Sequence, residues 1–183
     1  MGDPQLPEAP QDRVGWAVVG LGTFAVGQVI PGFIATNRSR ITAFVSGTPS
    51  TAATLGERYG VSRLYDYDTC DASAGDDSEG CVYIVLPVGL HTEYDICALE
   101  AGKHVLCEKP MASTSAECER MIAAVRANNR QLGVACRVHF EPTNNAALCA
   151  YRSDLCHRGG GRNARCGLTR RLTPAHLHRQ GSS

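Results

Sequence analysis

Gly20, Gly22 and Ala25 give the spacing G-x-G-x-x-A in the segment GLGTFA, which follows an apolar run and opens a helical pattern. Such a turn can bind a pyrophosphate. The first glycine permits the tight turn, the second lets the backbone approach the phosphates, and the small third residue packs helix on strand. The anion then lies at the helix N-terminus. The predicted binding residues are Gly20, Leu21, Gly22, Thr23, Phe24 and Ala25. The alternative is a tight strand-to-helix turn that binds nothing.

The residues after the second predicted strand indicate which dinucleotide this turn would bind. A carboxylate there would accept a hydrogen bond from the ribose 2′-hydroxyl of NAD. Here the strand is followed by Ser46, Gly47 and Thr48, so no carboxylate would repel a 2′-phosphate. The two hydroxyls and the nearby Arg40 could donate to that phosphate. The sequence therefore favours NADP and leaves NAD open; alternatively, Ser46 and Thr48 form only a turn and a helix cap before Pro49.

Two further groups of residues follow later predicted strands. Glu108 and Lys109 come directly after the strand Lys103–Cys107, and Leu86 ends the apolar run CVYIVL. Because ligands of an open α/β sheet bind beyond the carboxyl ends of its strands, these residues are candidates to line the site. Simpler interpretations exist for each. Lys109 could be a solvated lysine with Glu108 as its surface partner, and His91 could merely begin a helix.

The elements that would position these residues alternate between apolar strands and amphipathic helices. Strands are predicted at Val14–Val19, Ile41–Val45, Cys81–Leu86, Lys103–Cys107 and Leu132–Cys136, and helices at Thr23–Ala35, Ser50–Tyr59, Thr92–Glu100 and after a capping box of Thr114 and Glu117. Pro31 and Gly32 should bend the first helix. Residues 64–80 are predicted as a short strand and a loop. The order predicts an α/β fold: a doubly wound, mostly parallel Rossmann sheet with helices on both faces.

Composition places the chain among ordinary globular proteins, with 183 residues, 43% hydrophobic and 20% charged. No apolar run approaches the roughly 20 residues that span a bilayer, so we expect no membrane association. The nine cysteines include no C-x-x-C pair. That pattern predicts reduced thiols in a cytoplasmic protein, and no metal site is predicted.

The two ends of the chain differ from its body. Residues 1–12 are predicted to be a flexible segment, and residues 13–150 the Rossmann domain. Residues 151–183 carry seven basic side chains and one acidic one, and only four of these 33 residues are Leu, Ile, Val or Phe. We expect this irregular tail to be disordered and hypothesise that it is frameshifted or truncated sequence. Its arginines lack aromatic interleaving, so no nucleic-acid partner is predicted.

Four segments together resemble the Gfo/Idh/MocA oxidoreductases, most closely members of the glucose-fructose oxidoreductase type. They are VVGLGTFAVGQVIPGF, YIVLPVGLH, AGKHVLCEKPMA and CRVHFEP, and the resemblance covers about residues 13–150. It implies a nicotinamide-dependent dehydrogenase of sugars, polyols or related compounds. In this family a second α/β domain supplies most of the substrate pocket and usually the oligomer interface. No such domain is recognisable here, so a homo-oligomer is expected only if that domain is present.

The resemblance also assigns roles by position. Lys109, the lysine of the EKP segment, would lie beside the nicotinamide and the substrate hydroxyl and would hold or relay a proton during hydride transfer. Glu108 would orient Lys109 and contact the nicotinamide ribose. The remaining family positions are Pro87, Leu90 and His91, which would flank the cofactor, and Arg137, His139 and Pro142, which would reach toward substrate and nicotinamide.

Two positions depart from the family pattern. Cys136 stands where relatives commonly have tyrosine, and Val88 replaces a frequent asparagine. Three functions therefore remain as hypotheses from the sequence. The first is the nucleotide-binding domain of an NADP-preferring sugar or polyol oxidoreductase, and the second is a remnant that binds a dinucleotide without turnover. The third, an S-adenosylmethionine methyltransferase, lacks the acidic residue expected near Ser46.

Overall fold

A computed structural model of the chain describes residues 13–67 and 80–147. The chain divides after Ala135 into two units, and the predicted domain of residues 13–150 extends past this division. The predictions for residues 1–12, for residues 151–183 and for most of the loop in 64–80 fall outside the described residues.

A six-stranded parallel sheet forms the first unit, in the order β3-β2-β1-β4-β5-β6. The strands are β1 (Val14–Val19), β2 (Ser39–Val45), β3 (Arg63–Tyr65), β4 (Cys81–Ile84), β5 (His104–Glu108) and β6 (Leu132–Ala135). The helices are α1 (Ile30–Ile34), α2 (Pro49–Tyr59), α3 (Val88–Glu100) and α4 (Ser115–Asn128). This is the strand order of a Rossmann fold, in which the direction of winding reverses between β1 and β4. The predicted fold class is therefore confirmed.

Successive apolar side chains of β1 point to opposite faces of the sheet, which explains why helices cover both faces. Ala17 and Val19 belong to a core cluster that includes Leu99 of α3. Val18 points the other way, into a cluster that includes Ile30 of α1 and Leu55 of α2. Successive side chains of a strand face opposite sides, so an apolar run without polar interruptions requires cover on both.

The helix after the glycine turn is irregular, which agrees with the bend predicted from Pro31 and Gly32. A π-helical turn, Ala25–Val29, precedes α1, and Pro31 lies in the first turn of α1. Proline has no N–H to donate to the carbonyl four residues earlier, and its ring crowds that carbonyl. The wider π turn is the local response to these two restrictions.

Helix α3 begins four residues earlier than the sequence predicted. Pro87 is its N-cap residue with extended backbone, and the Leu90 N–H donates to the Pro87 carbonyl at 2.9 Å. The predicted start at Thr92 was wrong because the segment Val88–Leu90 has the short loop-like composition VGL, and because a proline after an apolar run fits the start of a helix as well as the end of a strand.

Several features of the described residues bear on protein class. No helix among residues 13–67 and 80–147 is long and apolar enough to cross a bilayer. The same residues contain no group of three or more His, Cys, Asp or Glu side chains arranged to hold a metal ion. Free thiols are found at Cys81, Cys97, Cys107, Cys118 and Cys136.

Candidate functional site

The first unit brings most of the predicted site residues to one edge of the sheet. Gly20 to Ala25 follow β1, Ser46 to Thr48 follow β2, Leu86 to His91 follow β4, and Glu108 ends β5 with Lys109 directly after it. These strands are parallel neighbours, so their carboxyl ends meet at the same edge. Arg137 and Pro142 belong to the second unit, where Arg137 begins a 3₁₀ turn, Arg137–Phe140. His139 lies in the same turn.

Gly20 is held tightly between the ends of two neighbouring strands. Its N–H donates to the Val45 carbonyl at 2.9 Å, and the Val85 N–H donates to the Val19 carbonyl at 2.8 Å. Gly20 has a φ of +93°, and a Cβ on it would lie 2.5 Å from the Val85 oxygen and 2.9 Å from Leu86 Cδ2. The turn therefore requires glycine at this position for both its backbone conformation and its close packing.

Gly22 differs from Gly20 in what surrounds it. A Cβ there would meet no protein atom within 4 Å, so packing within the described residues does not explain the glycine. The first helical hydrogen bond after the turn runs from the Val26 N–H to the Gly22 carbonyl at 3.0 Å. The N–H groups of Gly22 and Thr23 therefore precede the helical ladder and have no helical acceptor. Open approach and helix-start donors fit a pyrophosphate.

The segment after β2 combines a buried serine with an exposed helix start. Ser46 is buried, and its Oγ accepts from the Thr48 N–H at 3.2 Å. Thr48 is the N-cap residue of α2, with Pro49 in the first turn, but its side chain makes no capping hydrogen bond. Thr48 thus has the predicted position without the predicted capping bond. A Cβ on Gly47 would lie 2.8 Å from Tyr67 Cε2, so a packed tyrosine ring gives this glycine a structural reason.

Arg40 does not lie near this segment. It is the second residue of β2 and pairs in register with Gly15 at the beginning of β1. Six residues of extended chain separate it from Ser46, a distance of about 20 Å at about 3.3 Å per residue. The idea that Arg40 could donate to a 2′-phosphate is therefore wrong, because sequence proximity along a strand is not spatial proximity.

Glu108 is oriented by a tyrosine that sequence reasoning missed. The Tyr83 hydroxyl of β4 donates to Glu108 Oε1 at 2.6 Å, and the Lys109 backbone N–H donates to Oε2 at 3.2 Å. Glu108 thus contacts the lysine through its backbone amide. The Lys109 side chain is exposed, and the Lys109–Pro110 peptide bond is cis. These two hydrogen bonds fix the carboxylate at the edge of the sheet.

The Tyr83–Glu108 hydrogen bond should contribute measurably to stability. We expect Tyr83→Phe to lower the free energy of unfolding by about 2 kcal/mol, because a short hydrogen bond to a carboxyl oxygen is lost. Urea unfolding measures this change. The matched control is Tyr65→Phe, which removes a hydroxyl from β3 for which the described residues supply no hydrogen bond. Equal effects of the two changes would contradict the assignment.

His91 lies in the first turn of α3 and is 1% exposed. Its Nδ1 lies 2.9 Å from the Pro110 carbonyl oxygen, and its Nε2 lies 2.8 Å from the Leu86 carbonyl oxygen. Both ring nitrogens are therefore occupied by the backbone of the two loops beside it. This differs from the expectation of a cofactor-binding ring: as placed, His91 offers no ring nitrogen to a ligand.

Asp95 follows His91 by one turn of α3 and is fully buried. Its two carboxylate oxygens accept no hydrogen bond from an N–H or O–H group among the described residues. Burial raises the pKa of Asp95 from its ordinary 3.8 to about 6, although the nearby Cys107 thiol and the His91 ring lower it in part. Burial, together with the Asp95 carboxylate, raises the pKa of the Cys107 thiol, which therefore stays protonated and is no nucleophile.

The raised pKa of Asp95 should appear as a dependence of stability on pH. Between about pH 4 and about pH 6 the folded state keeps a proton that the unfolded state has lost. The stabilising contribution is therefore present below about pH 4 and is lost as the pH rises through about 6, by about 3 kcal/mol in all. Urea unfolding across this range should show the loss in the wild type but not in Asp95→Asn.

Glu93→Gln is the control for that comparison, because it removes a carboxylate from an exposed position of the same helix. It should follow the wild-type pH profile. A wild-type profile parallel to that of Asp95→Asn would show that Asp95 titrates in its ordinary range.

Comparison with known proteins adds the deciding observation. Residues 14–136 match the family described as an oxidoreductase family with an NAD-binding Rossmann fold. The chain belongs to this family, the Gfo/Idh/MocA oxidoreductases. The matched region contains the glycine turn, the segment after β2 and the Glu108–Lys109 pair, so the family resemblance predicted from four short segments is confirmed.

Relatives within the Gfo/Idh/MocA family include sugar enzymes. The chain is 33% identical over 141 residues to D-xylose 1-dehydrogenase [NADP(+)] of Haloarcula marismortui, covering 76% of this chain and 39% of that protein. An aldose-aldose oxidoreductase from Caulobacter crescentus, solved with glycerol, is 40% identical with a TM-score of 0.75, covering 77% of this chain and 43% of that one. A 3-ketoreductase from Actinomadura kijaniata, solved with NADP, is 28% identical with a TM-score of 0.70, covering 77% and 44%.

The chain thus spans less than half the length of these relatives. Within the Gfo/Idh/MocA frame, the residues that sequence reasoning missed are Tyr67, Tyr83 and Asp95. Tyr83 had a weak signal, because it is the one hydroxyl-bearing side chain in the apolar run CVYIVL. Asp95 had a clearer one: a carboxylate four residues after a histidine lies on the same helical face.

Proposed function

We propose that this chain is the nucleotide-binding domain of an oxidoreductase that transfers a hydride between NADP and a sugar or polyol. One observation carries the proposal: the glycine turn at Gly20 and Gly22 lies at the same sheet edge as Glu108 and Lys109. Winding reverses between β1 and β4 at this edge, and open α/β sheets bind their ligands in the crevice formed there.

The choice of NADP rests on the residues after β2. Ser46, Gly47 and Thr48 place no carboxylate where one would bind the NAD ribose and repel a 2′-phosphate. Thr48 makes no capping bond with its side chain, so its hydroxyl is available at the exposed start of α2. A carboxylate does follow the neighbouring strand β3, at Asp66, but it interacts with other groups of the protein.

The chemistry divides between the cofactor and the chain. A bound nicotinamide would accept or deliver the hydride. Lys109 extends from the end of β5, and its ammonium would hold or move the proton of the substrate hydroxyl. Glu108, fixed by Tyr83 at 2.6 Å, holds the Lys109 backbone amide and so sets where this side chain begins.

The substrate class follows from the relatives. Their names describe action on xylose, on aldoses and on a keto group, and one was solved with glycerol, a polyol. All of these proteins are more than twice as long as the matched region, so the substrate class comes to this chain from the relatives alone. These relatives are oxidoreductases, and the binding-only alternative gains no support from them.

The proposal is tested by titrating the purified chain with NADPH and with NADH while the nicotinamide fluorescence is recorded. We expect NADPH to bind at least about tenfold more tightly, a difference of about 1.4 kcal/mol. Ser46→Asp should reverse the preference by repelling the 2′-phosphate, whereas Ala53→Asp, which adds the same charge to an exposed position of α2, should not. Lys109→Ala should keep the affinity within about tenfold of the wild type and abolish any turnover of a sugar or polyol panel. Failure to bind either nucleotide would overturn the proposal.

A further inference from the structure

The ring of His91 joins the two loops that flank the candidate site. Its Nε2 faces the Leu86 carbonyl of the loop after β4, and its Nδ1 faces the Pro110 carbonyl of the loop after β5. Both distances are below 3 Å, and the ring is 1% exposed. No water-exposed surface of the ring is left through which another partner could satisfy either nitrogen.

Both of these partners are carbonyl oxygens, which accept hydrogen bonds and cannot donate them. A neutral imidazole carries one N–H and one lone pair, so it would place a lone pair against a carbonyl oxygen at less than 3 Å. Only a ring with two N–H groups satisfies both contacts. We propose that His91 is held as an imidazolium, with Asp95 as its counter-charge, and that this pair positions the Lys109 segment.

Asp95 supplies the compensation that a buried cation needs. It follows His91 by four residues, so the two side chains lie on one buried face of α3. Its carboxylate is fully buried and meets no N–H or O–H donor among the described residues, only the weakly donating thiol of Cys107. An isolated buried charge of either sign is costly, whereas two opposite charges placed together offset much of that cost.

None of the other titratable groups near His91 and Asp95 supplies the negative charge that would balance the imidazolium. Cys107 of β5 lies beside the Asp95 carboxylate, but its thiol is a neutral, weak donor that also approaches the carbonyls of Glu108 and Met111, at 3.3 and 3.8 Å. Glu108 is bound by the Tyr83 hydroxyl and the Lys109 amide. Cys118 of α4 interacts with Cys107 and brings no carboxylate. Asp95 is therefore the carboxylate that balances His91.

As a consequence, hydrogen bonds hold the backbone on both sides of the Lys109 side chain. Glu108 holds the Lys109 N–H from one side, and His91 holds the Pro110 carbonyl from the other. The same ring also binds the Leu86 carbonyl. Leu86 and its neighbour Val85 are the residues that pack closely against Gly20. His91 and Asp95 are thus positioning residues. Their importance for catalysis rests on the proposed function, but their protonation does not.

Nitrogen-15 NMR of the full 183-residue chain, at neutral pH and without cofactor, tests the protonation directly. His91 signals are assigned by their loss in His91→Gln. We expect both ring nitrogens of His91 to show an attached proton in the folded wild type. A ring with one N–H and one bare nitrogen would overturn the proposal.

Asp95→Asn tests the counter-charge and the positioning, with Glu93→Gln as the control on the exposed face of α3. We expect Asp95→Asn to lose one ring proton of His91 and to shift the backbone amides of residues 86–88 and 109–111, which the control leaves in place. Retention of both protons, or amide shifts no larger than those of the control, would overturn this part. A chain with two ring protons that binds no NADPH would refute the proposed function and leave this inference standing.

Discussion

Replacing Gly20 by alanine should lower the free energy of unfolding by about 3 kcal/mol, which would be a large share of a typical domain's stability. Two costs add. A side chain at a φ of +93° strains the backbone by about 1–2 kcal/mol. The new Cβ would also lie 2.5 Å from the Val85 oxygen, and relieving such overpacking typically costs about 1–3 kcal/mol. Urea or thermal unfolding measures the total.

Gly60→Ala is the matched control, because it separates the two costs. Gly60 ends α2 with a φ of +69°, but a Cβ there would meet no protein atom within 4 Å. It should therefore show the backbone strain alone, about 1 kcal/mol. If both substitutions cost the same, the contact with the loop after β4 would not matter, and the close approach of the two strand ends would be refuted.

The second large effect concerns Gly22, where we expect binding and stability to separate. Gly22→Ala should leave the free energy of unfolding within about 0.5 kcal/mol of the wild type, because the added Cβ meets no protein atom within 4 Å. It should weaken NADPH binding by more than about tenfold, since the methyl group would occupy the approach to the pyrophosphate. Unfolding and fluorescence titration of the same preparation measure the two quantities.

Gly27→Ala provides the control for this experiment. Gly27 is an exposed residue of the π turn, one helical turn further on, and a Cβ there would likewise meet no protein atom within 4 Å. The affinity of this variant for NADPH should stay at the wild-type value. A Gly22→Ala variant that binds NADPH normally would favour the simpler interpretation, in which GLGTFA is a tight turn that binds nothing.

Much of the fold could be predicted because it depends on local pattern. Strand β1 has the predicted bounds, Val14–Val19, since a continuous apolar run requires burial on both faces. The capping box of α4 is present in both halves, with Thr114 accepting from the Glu117 N–H and Glu117 accepting from the Thr114 N–H. Errors arose where one residue type has two uses, as with Pro87, which the sequence pattern assigned to the end of a strand.

The site was harder to predict, because its residues act through partners that are distant in the chain. Glu108 was chosen from the sequence, but the hydroxyl that fixes it belongs to Tyr83, 25 residues earlier. His91 was expected to flank a ligand, yet its ring binds two backbone carbonyls instead. Backbone carbonyls are present at every position, so no sequence pattern indicates which of them a buried ring will meet.

The sequence by itself determined the order of strands and helices, the glycine turn and the residues at the carboxyl ends of the strands. Each of these depends on residue type and on spacing over a few positions. Only the tertiary structure decided which of two glycines is required by packing, where Arg40 lies, and that the helix face with His91 and Asp95 is buried beside Lys109. These depend on the register between strands that are distant in sequence, since a parallel sheet brings together residues that no local pattern relates.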